Sequence, residues 1–326
     1  MSDKVLEVIN LSVCFRTPRG TVKALRNVNL TVPKGKIVGI VGESGCGKST
    51  VVLSAINLLA SNAEITGGVV KFEGQDVLKM SQSELRAIRG ERLSVVFQDP
   101  MTSLNPLLSI GRQMTDIQYR ANIRKVKKRE RAVKMLTRVG MPDPEDRLSG
   151  YIHQFSGGMR QRIAIAMALL AKPTLLIVDE PTTALDVTLE MQIMHLLRDL
   201  QSTLHCSILF ISHNLGLIAE FCDFVAVMYA GEVIEYGSVR DVFLHSAHPY
   251  TGKLLECDPA RIKHRCRILP TIPGGVPNLM NIYKECIFSS RCPSAVDVCW
   301  TRFPTLCQIK GDHIARCHLL TCKGDS

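Results

Sequence analysis

The apolar run Ile37-Val38-Gly39-Ile40-Val41 opens directly into Gly42-Glu43-Ser44-Gly45-Cys46-Gly47-Lys48-Ser49-Thr50 and then into a helix-like run from Val51 to Ala60. Strand, glycine loop, lysine, hydroxyl residue and helix in that order make a phosphate-binding loop, and they oblige the chain to build an α/β sheet around it. Gly42, Gly45 and Gly47 let successive backbone N–H groups converge on a polyphosphate, while the following helix turns its positive end toward the same charge. Lys48 is expected at the β and γ phosphates. Ser49 is expected to offer its hydroxyl to Mg2+, a hard cation that prefers oxygen. A glycine turn without chemical meaning would require all of these features to coincide.

A second apolar strand, Leu175-Leu176-Ile177-Val178, ends in Asp179-Glu180. Two carboxylates thus stand at the carboxyl end of a strand, the edge where open α/β sheets take ligands. Asp179 is expected to serve Mg2+ through its water shell and Glu180 to polarise an attacking water. Alone, such a pair reads as a solvated strand end; the upstream loop makes it chemical. Ser156-Gly157-Gly158-Met159-Arg160-Gln161-Arg162 precedes the apolar run Ile163 to Ala171. That is a second helix N-terminus suited to an anion, and taken alone it is equally an ordinary Ser cap.

In this order, and with Gln98 and His213, the motifs resemble the nucleotide-binding subunit of an ATP-binding cassette (ABC) transporter over about residues 4–256. The resemblance implies ATP with Mg2+, bound by Gly42, Glu43, Ser44, Gly45, Cys46, Gly47, Lys48, Ser49 and Thr50. It implies that Ser156, Gly157, Gly158 and Met159 contact nucleotide held by a second ATPase subunit. Phe15 would stack on adenine, Gln98 would touch Mg2+ and sense the membrane subunits, and Asp186 would lie by the nucleotide. His213 would be the γ-phosphate switch that shares catalysis with Glu180. Two positions depart from the common pattern: Met159 stands where many members have Gln, and Asn214 follows His213 where Asp is usual. Asn keeps the shape and an acceptor oxygen but loses the charge.

At 326 residues and 46% hydrophobic content the chain can bury a large core and exceeds the usual span of one compact domain. The sequence predicts no membrane span and no signal-like start at Met1-Ser2-Asp3-Lys4, so membrane attachment is expected only through partners. The formal charge of +10 is uneven: ten Lys or Arg fall between Arg112 and Arg138, against Asp116 and Glu130. A solvated helix face is the commonest meaning of such a run; proximity to anionic lipid comes second, and nucleic acid third.

Residues 4–35 and 69–80 alternate apolar and polar positions and predict a small antiparallel sheet, whereas residues 36–68 and 160–237 read as strand–helix alternation. The fold expected is α/β: a P-loop NTPase of the ABC ATPase type. An antiparallel β subdomain, an inserted helical subdomain at about 101–155 and a small Cys-rich C-terminal extension would complete it. The nucleotide-binding domain would span 1–256 and the extension 257–326.

Eight of the twelve cysteines lie beyond residue 256, and Cys286, Cys292, Cys299 and Cys317 form a four-thiol set in a segment poor in apolar runs. Such a segment needs a staple, and an iron–sulfur cluster, zinc or disulfides are the candidates. Disulfides suit a cytosolic ATPase poorly, and short C-x-x-C pairs typical of zinc ribbons are missing. With His248-Pro249-Tyr250-Thr251 and Pro273-Gly274-Gly275-Val276-Pro277, the segment resembles the C-terminal extension of oligopeptide and dipeptide import ATPases. That resemblance implies a [4Fe-4S] cluster on Cys286, Cys292, Cys299 and Cys317, with zinc as the alternative. Cys257, Cys266, Cys307 and Cys322 would be bystanders.

The function implied is ATP binding and hydrolysis that power a bacterial importer of di- or oligopeptides by ATP-dependent closure of two ATPase subunits. The partners would be a related, non-identical ATPase, two membrane permeases and an extracytoplasmic solute-binding protein. Nucleic acid is not expected as a partner. The chain would sit peripherally on the cytoplasmic face of the inner membrane. The competing class is a soluble ABC-type ATPase acting on nucleic acid or ribosomes, for which the basic arm would be the contact.

Overall fold

The computed structural model describes residues 3–181, 187–261, 269–281 and 284–321, so the expectations at Asp186, Cys266 and Cys322 fall outside the described residues. The chain divides into two compact units, Met1–Lys79 with Ile211–Ser326, and Met80–Phe210.

The first unit carries an antiparallel sheet in the order Gly20–Pro33, Lys4–Thr17, Ala63–Phe72, Gln75–Asp76. Leu6, Val8, Leu11 and Val13 all point inward, although strict alternation would send Leu11 to the opposite face from Val8. A register shift between Val8 and Leu11 resolves this, with Asn10 at φ 49 absorbing the extra residue. Asn29 holds it there, its Oδ1 accepting from Asn10 N and its Nδ2 donating to Asn10 Oδ1, both at 3.0 Å. The third strand begins at Ala63 rather than near residue 69, because Gly67-Gly68 hides its alternation. Gly68 has φ 92, and a Cβ there would lie 2.5 Å from Leu11 Cα.

The same unit contains the strands Leu306–Lys310, His313–Arg316, Glu232–Ser238, Phe224–Tyr229 and Ile37–Val41, in that order. The last two run parallel and the others antiparallel. Every residue of Ile37–Val41 is buried, as an apolar run without alternation requires of a strand covered on both faces. The tail joins this unit by backbone pairing, Glu235 with Ala315 and Tyr236 with Ile314. The helix after the glycine loop spans Lys48–Ala55, shorter than the apolar run to Ala60 suggested. Asn57 turns left-handed at φ 50, and Leu58 N donates to Leu53 O at 2.8 Å, the hydrogen bond of a Schellman-type end.

In the second unit Leu93–Val96 pairs in parallel with Leu175–Asp179, and the strand Ser207–Ile211, in this unit up to Phe210, lies on the far side of the latter. Its helices include Ile110–Asp116, Lys125–Arg138, Gly157–Leu169 and Val187–Leu204. The basic run is chiefly the helix Lys125–Arg138, which buries Ala132, Met135 and Leu136 and leaves Lys125, Lys127, Arg129, Arg131, Lys134 and Arg138 exposed. This is an amphipathic helix with a solvated cationic face. Lys127 pairs with Glu130 at 2.9 Å.

Candidate functional site

In the first unit the glycine loop is shaped by two residues that only glycine can satisfy. Gly42 has φ 153, and a Cβ there would stand 2.1 Å from Met228 O; Gly47 has φ 104, and its Cβ would stand 2.8 Å from Ala24 O. The loop is tied down by Gly231 N donating to Cys46 O at 3.0 Å. Lys48, only 7% exposed, aims its ammonium back into the loop, donating to Gly42 O at 2.9 Å and Glu43 O at 3.2 Å. Ser44, Gly45 and Ser49 are exposed at the loop's open side, while Thr50 is half-buried. Cys46 is buried, and desolvation pushes its thiol up, so it sits beneath the loop as a neutral apolar group. A directed cation, a left-handed glycine turn and an open helix start fit a polyphosphate with its Mg2+.

Ser212 N donates to Ile40 O at 3.3 Å, which sets exposed His213 just past the end of the glycine-loop strand. Asn214 caps the helix Leu215–Phe221, its Oδ1 accepting from Gly216 N at 3.0 Å and Leu217 N at 3.3 Å. Asn and Asp are equally good N-caps, so this role tolerates the loss of charge. Phe15 is half-buried on the antiparallel sheet, across from Val22 and Ala63.

The second unit brings Gln98 and Glu180 together, Gln98 Nε2 donating to Glu180 Oε2 at 3.3 Å. Asp179 closes its strand, and Glu180 follows at φ 43, a left-handed conformation that a non-glycine residue adopts only at a cost. Ser156 caps the helix Gly157–Leu169, with Oγ accepting from Met159 N at 3.4 Å. Ser156 and Gly157 are exposed and Met159 half-buried, whereas Gly158 is buried so tightly that a Cβ would meet Leu189 Cδ2 at 2.3 Å.

In the tail, Cys286 N donates to Cys299 O at 3.0 Å. Burial pushes the thiols of Cys286, Cys292 and Cys317 up, Cys286 to about 11, where the charges of Cys299, Cys317 and Cys292 add to the effect. The four sulfurs therefore share one neighbourhood, and soft thiolates suit iron or zinc. As placed here, no group of three or more His, Cys, Asp or Glu among the described residues stands in ligating position, so a cluster would need these thiols to draw closer together. Cys307, set aside above as a bystander, is disulfide-bonded.

The tail also supplies contacts that the motifs gave no sign of. The Arg291 guanidinium grips the Glu43 carboxylate, Nη1 to Oε2 at 2.8 Å and Nη2 to Oε1 at 3.0 Å, and Glu43 N donates to Tyr250 OH at 3.1 Å. The only sequence signal was a basic residue beside Cys292. Tyr250 belongs to the helix Pro249–Glu256, capped by buried His248, whose Nδ1 accepts from Tyr250 N at 3.0 Å.

Burial pushes the His248 pKa down from 6.5 to about 4, with Glu235 opposing. The unfolded chain then binds this proton more tightly, so the stability that neutral His248 contributes is complete above about pH 6.5 and lost as pH falls through about 4. Glu232, pushed up to about 7 by burial, acts in the opposite sense between pH 4.5 and 7. The His248→Asn variant, which keeps a capping acceptor, is expected to lose less stability than wild type between pH 6.5 and 4, measured by urea unfolding across that window.

Residues 25–183 match the family model described as ABC transporter, and residues 234–299 match that of the oligopeptide/dipeptide transporter, C-terminal region. The second match ends at Cys299, short of Cys317. The chain is 45% identical to the probable peptide ABC transporter ATP-binding protein y4tR of Sinorhizobium fredii, covering 97% of this chain and 95% of that one. It is 47% identical to the oligopeptide transport ATP-binding protein OppD of Salmonella typhimurium, over 90% of this chain and 88% of OppD. With the dipeptide transport ATP-binding protein DppD of Lactococcus lactis the identity is 44%, over 98% and 91%. Among solved structures, a dimeric ATP-binding cassette bound to ADP and Pi superposes with a TM-score of 0.65 at 28% identity, over 72% of this chain and 99% of that one. Motif geometry and similarity along nearly the whole length agree: the chain belongs to the ABC transporter ATP-binding proteins, ATPases of the cassette fold, and to the branch that carries the oligopeptide/dipeptide transporter C-terminal region.

Proposed function

We propose that this chain is the ATP-hydrolysing subunit of a bacterial importer of di- or oligopeptides, driven by closure of two ATPase subunits around ATP. The observation that carries the reading is similarity to peptide-transport ATP-binding proteins through both the cassette and the tail. Residues 1–256 form the nucleotide-binding domain in this proposal, with about 101–155 as its helical subdomain and 257–326 as its Cys-rich extension.

In this reading Lys48 and the backbone of Gly42 to Thr50 hold the triphosphate, and Phe15 stacks on adenine. Ser49, Gln98 and Asp179 attend Mg2+, which when bound neutralises charge on the phosphates. Glu180 orients and deprotonates the attacking water, and its hydrogen bond from Gln98 keeps the carboxylate directed. His213 and Asp186 complete the surroundings of the γ phosphate. Exposed Ser156 and Gly157, with Gly158 and Met159, form the lid that a partner's nucleotide would meet; a helix start with a free face supports that role.

The partners proposed are a non-identical ATPase, two permeases and an extracytoplasmic binding protein. The chain would bind peripherally at the cytoplasmic face, and no helix among the described residues is long and apolar enough to cross a membrane. Membrane fractionation with and without co-expressed permeases, and ATPase activity of the reconstituted complex with added peptides, test this together. Permease-dependent association and peptide-stimulated turnover are expected; salt-sensitive association with nucleic acid instead would overturn the reading.

We propose that Cys286, Cys292, Cys299 and Cys317 hold a [4Fe-4S] cluster as a structural staple, with zinc as the alternative occupant. The nearness of the four thiols, Cys299 and Cys317 buried and Cys286 and Cys292 half-buried, supports it. Anaerobically purified protein is expected to contain iron and acid-labile sulfide in equal amounts. A colourless, zinc-loaded sample would end the cluster assignment.

A further inference from the structure

We infer that Arg291 is a positioning residue for the phosphate loop: by gripping Glu43 it sets the loop for nucleotide and links the cysteine-bearing tail to ATP binding. This rests on the reading of that loop as the ATP site.

Glu43 is the second residue of the loop, and two parallel hydrogen bonds from one guanidinium fix both oxygens of its carboxylate. The guanidinium itself has no freedom to turn. Its Nε donates to Pro273 O at 3.0 Å, Nη2 to Ile272 O at 3.1 Å and Nη1 to Tyr229 OH at 3.2 Å, and the side chain is 3% exposed. A lysine could reproduce the charge here but not this planar fork.

The other end of the grip leads to the chemistry. Glu43 O is one of the two carbonyls that receive the Lys48 ammonium, so moving Glu43 moves an oxygen that directs the lysine. Glu43 N in turn donates to Tyr250 OH, on the helix Pro249–Glu256 that precedes the tail. Tyr229, Tyr250 and Phe288 pack as a buried aromatic trio, with ring centroids 4.6 to 5.4 Å apart. Phe288 O accepts from Arg291 N at 3.0 Å, and the turn Ser289–Arg291 lies between two of the tail thiols. Ser289 N donates to Cys286 O at 3.0 Å and Cys292 N to Ser289 O at 3.3 Å. A displacement at Cys286 or Cys292 therefore reaches Lys48 through Arg291 and Glu43.

The charge matters as well as the geometry. Without Arg291 a part-buried carboxylate stands unpaired in a loop built to receive phosphates, and it repels them. Arg291→Ala is thus expected to weaken binding of a fluorescent ATP analogue by about tenfold and to raise the KM for ATP similarly, with kcat falling less than about threefold. Arg291→Lys is expected to lie between. Removing the stranded charge in Arg291→Ala/Glu43→Gln is expected to restore a substantial part of the lost affinity, which a merely structural arginine would not do. Full-length wild type and the Lys48→Ala variant run alongside. Lys48-dependent binding in wild type with Arg291→Ala indifferent overturns this inference alone, as does an affinity loss that neither Arg291→Lys nor the double variant relieves. Absence of Lys48-dependent binding in wild type removes the ATP-site reading and this inference with it.

Discussion

Glu180→Gln is expected to cut ATP turnover by at least about a hundredfold while leaving nucleotide affinity within about threefold of wild type. Glutamine matches the size of the carboxylate and keeps an oxygen that can accept from Gln98 Nε2, so the local frame survives. The left-handed backbone at φ 43 disfavours Gln as much as Glu, which removes conformational strain as a competing cause. What disappears is the ability to take a proton from water. Equilibrium binding of a fluorescent ATP analogue and phosphate release on the same preparation separate the two quantities. Turnover close to wild type would remove Glu180 from its proposed role.

Gly42→Ala is expected to be the most damaging single methyl group in the loop. The new carbon would stand 2.1 Å from Met228 O, a main-chain atom of a neighbouring strand, and φ 153 is a conformation that side chains resist. Relief requires the loop to lift off that strand, which would move the two carbonyls that direct Lys48. A loss of about 3 kcal/mol in stability and of measurable ATP binding is expected. Gly45→Ala is the control: at φ 77 it meets nothing within 4 Å, so only backbone strain of about 1 kcal/mol applies. Thermal unfolding and nucleotide binding of the two variants read out the difference. Equal behaviour would mean that the close approach to Met228 does not govern the loop.

Local chemistry made the site legible and distance hid the rest. Gly42 to Ser49 is a complete local signal, because strand, turn and helix start are adjacent in sequence. Ser156 announced its cap by standing before an apolar helical run, and Asn214 could have been read the same way, since both occupy N-cap positions. The early start of the strand Ala63–Phe72 was masked by Gly67 and Gly68, and the early stop of the helix at Ala55 by the apolar residues beyond it. Arg291 and Glu43 lie 248 positions apart, and no periodicity or spacing connects them. The four tail cysteines showed their kinship in sequence, yet thiol spacing carries no information on whether sulfurs meet as ligands.

The most direct test of the central claim, that two subunits clasp each ATP between them, is a structure of the assembled pair built with the Glu180→Gln variant and loaded with MgATP. The expected result is Ser156 and Gly158 of this chain against the γ phosphate of nucleotide seated on the partner's phosphate loop. Nucleotide bound on the loops with Ser156 facing open solvent in the closed assembly would contradict it.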